Sequence, residues 1–125
     1  MNTLAGLLVF LVALIHAGFA VLEMFLWTGP IGQRVFGQTP EFMNTTAVLA
    51  ANQGLYNLLL AGGLAWAAFS GRRDLRVFFL TCVIAAGVFG AMTAKLTILF
   101  TQAAPAALAL LIVLLARPRD ASPST

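Results

Sequence analysis

Apolar positions fall into four runs, separated by connectors rich in glycine, proline or charge. The first covers Leu4 to Trp27 and is interrupted only by His16 and Glu23. The second, Thr46 to Phe69, and the third, Val77 to Ala94, contain no charged residue. The fourth extends from Leu96 to Ala116. About twenty apolar residues, rising 1.5 Å each, cross the hydrocarbon core of a bilayer. The pattern therefore predicts an all-α protein, a four-helix transmembrane bundle with helices at about 4–27, 46–69, 77–94 and 96–116, in one domain covering 1–125.

The breaks between runs carry helix signals of their own. Thr28-Gly29-Pro30 follows the aromatic Trp27 and stops the first helix. The connector that follows, to about Thr45, has an apolar side in Ile31, Val35 and Phe36, so an amphipathic segment in the headgroup plane and an irregular loop both remain open. Asn44, Thr45 and Thr46 are candidate caps for the second helix. Gly62-Gly63 within it permits close packing or a bend. In the third run, Ala86, Gly90 and Ala94 form one track of small residues and Gly87 with Ala91 another, which predicts a close helix contact. Its partner is either in this chain or in a second copy, and the latter makes homo-oligomerisation through the third helix an expectation. Pro105 is expected to kink the fourth helix, since it lacks an amide donor.

Composition supports the membrane class. The chain is 61% hydrophobic, has a mean hydropathy of +0.96, and only 9% of its residues are charged, against about 25% in soluble domains. The net charge of +3 does not point to nucleic acid, because the basic residues lie in connectors and ends without a basic aromatic stripe. Arg72, Arg73, Arg76, Arg117 and Arg119 would share one side of a four-span protein, and Arg34 and Lys95 the other. That asymmetry predicts cytoplasmic termini in a protein integral to the cell membrane. A cleaved signal peptide competes for the first run, since Ala17-Gly18-Phe19-Ala20 supplies small residues. Met1-Asn2-Thr3 has no basic residue, however, and the apolar run continues past any cleavage point, which favours a retained span. Cys82 has no cysteine partner and reads as a small buried hydrophobe.

Candidate chemistry lies in the few polar residues inside the runs. Asn52, Gln53, Tyr56 and Asn57 occupy adjoining turns of the second helix, where amides facing lipid would lack partners, so they are expected to face inward. His16 and Glu23 stand two turns apart on one face of the first. In the four-span arrangement His16 and Asn57 reach the midplane. Glu23, Asn52, Gln53, Lys95, Thr97, Thr101 and Gln102 fall in the non-cytoplasmic half, above a Leu- and Ala-rich layer. The expectation is a polar cavity in that half, with His16 and Glu23 as catalytic candidates and Asn52, Gln53, Tyr56, Asn57 and Gln102 as ligand-binding candidates. No metal site is expected, because His16 is the one histidine and no HExxH motif occurs. Ser70, Ser122 and Ser124 lie outside the cluster, which argues against a Ser-His-acid hydrolase, and no motif for a soluble cofactor is present.

His16, the segment Glu23-Met24-Phe25-Leu26-Trp27 and the segment Asn52-Gln53-Gly54-Leu55-Tyr56-Asn57 resemble signature segments of the DUF1304 family of small integral membrane proteins. The resemblance covers nearly the whole chain and implies a four-helix membrane protein of about this length. It implies no activity, cofactor or catalytic residue.

Three functions are compatible with this pattern. The first is binding or transport of a membrane lipid or small apolar molecule in the polar cavity. The second is a structural or accessory subunit that uses its amides as ties between helices. The third is a cofactor-independent enzyme doing proton-transfer chemistry, such as isomerisation, with Glu23 as acid or base and His16 as its complement.

Overall fold

The computed structural model describes residues 3–116, so the basic stretch Arg117-Pro118-Arg119-Asp120 and the polar tail after it lie outside the described residues. Five α-helices and one π-helical segment follow in order: α1 (Thr3–Phe25), α2 (Pro30–Phe36), α3 (Pro40–Ser70), α4 (Arg73–Thr93), a π-helix (Leu99–Ala103) and α5 (Ala104–Leu115). They form two compact units. Among the described residues, one comprises 13–63, and the other 3–12 with 64–116.

Among the described residues, two helices, α1 and α4, are long and apolar enough to cross a membrane. The expected four-helix transmembrane bundle is therefore corrected to five α-helices with two candidate spans. The physical reasons are local. α3 is long, but Asn52, Gln53 and Asn57 sit in the middle of what would be its apolar stretch. The fourth run is divided into a π-helical turn and twelve residues of α-helix. Orientation inferred from counting basic residues across four crossings, and with it the cytoplasmic placement of both termini, loses its basis. In the most apolar windows of α1 and α4, 33% and 22% of residues are buried, whereas the core helix of a soluble protein would be mostly covered. Leu7, Leu11 and Leu14 of α1 and Phe78, Phe89 and Met92 of α4 point outward, as lipid-facing side chains do.

In the unit of residues 13–63, α1 and α3 meet along a seam of small side chains. Ala50, Gly54, Asn57 and Ala61 of α3 are buried at alternating steps of four and three residues, the spacing that keeps one helix face against a neighbour. A Cβ on Gly54 would collide with Met24 Cγ and stand 3.2 Å from the Ala20 carbonyl oxygen. Between these helices the chain folds back through α2, where Pro30 opens the helix and Gly37 closes it in the left-handed conformation (φ 64°). Trp27 fastens this return. Its indole N–H is shared between the Met43 carbonyl at 3.0 Å and Thr46 Oγ1 at 3.2 Å, and its ring packs on Phe36 at 4.7 Å. α3 begins at Pro40 rather than Thr46. Thr39 Oγ1 accepts the Phe42 amide (3.3 Å), so the cap lies upstream of Asn44, Thr45 and Thr46.

In the other unit, α4 turns sharply through 94–98 and the chain returns along it as an antiparallel hairpin. A Cβ on Gly87 would stand 2.9 Å from the Ala103 Cβ, and one on Gly90 3.2 Å from Ile98 Cγ2. Gly87 and Gly90 thus find a partner in their own chain, whereas Ala86 and Ala94 of the expected track are exposed. The π-helix has a local cause. The Ala104 N–H reaches back to the Leu99 carbonyl, one residue further than in an α-helix, and Pro105 next to it has no N–H to give. Arg73, at the start of α4, donates to the Val113 and Leu114 carbonyls at the end of α5 (3.4 and 3.1 Å).

Candidate functional site

Glu23 and Asn57 come together. Asn57 Nδ2 donates to Glu23 Oε2 at 2.7 Å, linking α1 to α3 one turn beyond the Gly54 contact. The length is that of a charge-assisted hydrogen bond. Asn57 is buried and Glu23 half-buried. The missing side chain at Gly54 makes the bond possible: it lets the α1 backbone approach until a carboxylate on one helix reaches an amide on the other. His16, two turns before Glu23 on α1, is 1% exposed and stacks edge-on against Phe19 at 6.1 Å.

The other α3 candidates are placed differently. Asn52 and Gln53 are exposed, and Tyr56 is 69% exposed. Asn52 Nδ2 turns back on its own helix to the Val48 carbonyl at 3.1 Å. That local bond meets an amide's need for a partner without any inward rotation, an option that the inward-facing expectation did not include. Gln53 lies one turn before Asn57 on the same stripe, so polar character runs from the surface at Gln53 to the buried Asn57–Glu23 bond. Gln102 is half-buried within the π-helix of the other unit. Among the described residues, no group of three or more His, Cys, Asp or Glu side chains is arranged to hold a metal ion.

Two further features escaped the sequence pattern. Arg76 is 2% exposed, although it reads as a charge in a short turn. Its Nε donates to the Ala67 carbonyl at 3.0 Å and its Nη2 to the Ala68 carbonyl at 2.7 Å, near the end of α3. A recess of about 290 Å³ beside it is lined by Thr3, Gly6, Leu7, Phe10, Ala68, Phe69 and Arg76, none of which belongs to the expected polar cavity. The available signal was spacing: Arg76, Leu80, Val83 and Gly87 form one buried helical stripe. Starting α4 at Arg73 rather than Val77 puts the arginine on that stripe.

Two apolar spans with outward-facing leucine and phenylalanine, and a carboxylate–amide bond between helices, define a small integral membrane protein. The chain belongs to the DUF1304 family, described as a protein of unknown function, whose profile matches residues 10–114. It is 33% identical over 115 residues to the uncharacterized protein YpaA of Lactococcus lactis subsp. lactis, an alignment covering 89% of this chain and 97% of that one. No solved structure matches it.

Proposed function

We propose that this membrane protein binds or carries a small or lipid-like molecule, using the polar stripe of α3 and the Glu23 carboxylate of α1. The observation that carries this reading is the Asn57–Glu23 bond. A carboxylate within a membrane-spanning helix is costly to keep, and intramembrane ionisable groups commonly mark sites of function. Here its bonded partner is a neutral amide rather than a cation, so the acid can still gain or lose a proton when a ligand head group approaches. Gln53 and Tyr56 are accessible on the same helix to meet such a molecule from the side. His16, on the α1 face of Glu23, would be the second polar group along its path.

A structural role is favoured by a different observation. The Gly54 contact leaves no room for a ligand directly between α1 and α3 at Glu23, as expected if the bond were only a tie. The two readings separate in one experiment. The protein would be purified in mild detergent, copurifying small molecules identified by mass spectrometry, and their retention and the thermal midpoint compared in Glu23→Gln and Asn57→Leu. Glu23→Gln keeps the side chain's size and an acceptor for Asn57 but removes the acid. Binding predicts loss of the molecule with little loss of stability. No bound compound, together with destabilisation as large as that of Asn57→Leu, would leave only the tie.

A further inference from the structure

Arg76 is a buried charge, and its hydrogen-bond partners are carbonyl oxygens. Among the described residues the one ion pair is Arg72 with Asp74, on the surface. The remaining described carboxylates, Glu23 and Glu41, belong to the other unit. The end of α3 offers the guanidinium a favourable dipole and two acceptors, equivalent to about half a charge. A full positive charge withdrawn from water normally has an anion beside it.

The recess next to Arg76 has the shape and lining for that anion to carry a tail. Its volume of about 290 Å³ is at the small end of ligand pockets, which run from about 300 to 1,000 Å³. Leu7, Phe10 and Phe69 make its walls, with Phe10 and Phe69 in contact at 5.1 Å, and Thr3 adds a hydroxyl. Gly6 keeps it open above the guanidinium: a Cβ there would stand 3.1 Å from Arg76 Nη2. The recess also lies where the two candidate spans begin, with Thr3 to Phe10 opening α1 and Arg76 in the first turn of α4. Such helix ends sit at headgroup depth, where arginine meets lipid anions.

We propose that this recess binds an anionic amphiphile, with the carboxylate or phosphate head at Arg76 and the start of an acyl chain against Leu7, Phe10 and Phe69. Arginine suits this role because its planar fork still presents donors after two have engaged the α3 carbonyls. The site is independent of Glu23 and Asn57, and its ligand need not be theirs.

The test uses the full chain in detergent and in nanodiscs. Sodium palmitate, hexadecanol of equal chain length, and inorganic phosphate are titrated in detergent by calorimetry. Phosphatidylglycerol is compared with phosphatidylcholine in nanodiscs by native mass spectrometry. Saturable binding of palmitate at one per chain, at least tenfold tighter than hexadecanol and with none for phosphate, supports the proposal with a fatty acid as the source. Selective retention of phosphatidylglycerol supports it with a membrane lipid as the source. Arg76→Gln should weaken either by at least tenfold. Because that variant loses the bonds to α3 and could unfold, Leu7→Trp, which narrows the recess and leaves Arg76 in place, should weaken binding likewise. Equal affinity for palmitate and hexadecanol, or unchanged binding in a folded Arg76→Gln, would overturn the proposal. So would binding that emerges only in Asp120→Asn, since the chain's own carboxylate would then be the missing anion. Glu23→Gln should leave this binding unchanged, which keeps the outcome separate from that of the α3 stripe.

Discussion

The α1–α3 pair and the α4–α5 hairpin solve the same packing problem and treat polar groups in opposite ways. Each closes on a glycine, Gly54 against Met24 and Ala20 in one and Gly87 against Ala103 in the other. In the first pair the polar tie is between side chains, an amide on a carboxylate between the two helices. In the hairpin and its unit the ties run from arginines to backbone carbonyls at helix ends: Arg73 on α5 and Arg76 on α3. A side-chain pair can exchange its proton or its partner without moving the backbone. An arginine on helix carbonyls completes hydrogen bonding that the helix itself leaves open. The difference places adaptable chemistry with Glu23 and Asn57, and stored positive charge with Arg76.

The glycine contacts offer the largest effect by which to break this comparison. Gly54→Leu and Gly87→Leu should each cost about 3 kcal/mol or more, because an added Cβ meets Met24 Cγ and then the Ala20 carbonyl in the first and the Ala103 backbone in the second. Gly18→Leu, whose added side chain would meet open space, should change the denaturation midpoint little. Equal midpoints for all three would remove close packing as the common feature.

Asn57→Leu comes next. It leaves the Glu23 carboxylate without its amide and should cost about 1–3 kcal/mol, whereas Glu23→Gln should cost less than about 1 kcal/mol. Reversible unfolding in detergent would check the order, and a reversal would mean that the charge, rather than the hydrogen bond, holds the pair. Arg73→Gln should be milder, at about 0.5–1 kcal/mol, appearing as faster amide exchange in the last turn of α5. Protection lost throughout the hairpin would make Arg73 a core contact instead of a cap. Smallest of all, Asn52→Leu should lie within about 0.5 kcal/mol of the parent, since its amide bonds only its own helix and faces outward. A loss comparable to that of Asn57→Leu would show that Asn52 has a partner in the membrane.

What could be read from the sequence divides along physical lines. Membrane class followed from apolar runs, because bilayer thickness sets a length that composition can be tested against. Glu23 and Asn57 stood out because each is an expensive residue in an apolar helix. Their partnership was less visible: it depends on how closely Gly54 lets two backbones approach, and a linear pattern holds no such distance. The inward-facing Asn52, Gln53 and Tyr56 were misplaced for a related reason. Polar residues clustered within two turns spread around a helix, so only some of them can share a buried face. Run length alone favours four spans, whereas the amides interrupting α3 and the break near Pro105 leave two candidate spans among the described residues. Arg76 is hidden in the pattern because the apolar run begins at Val77, one turn after the helix itself starts at Arg73.

The π-helical turn before Pro105 carries a consequence for how this chain can tolerate insertions and deletions. One extra residue in a turn rotates everything after it by about 100°. Ala103, Ala106, Ala109 and Val113 therefore face α4 in a phase that residues 96–98 alone would not predict. Losing a single residue from 99–103 would restore an ordinary α-helix up to the proline and turn that alanine stripe away from Gly87. Losses elsewhere in a surface turn would shorten the chain without turning any face. Length changes among relatives should accordingly be scarce here, for reasons of phase rather than of chemistry.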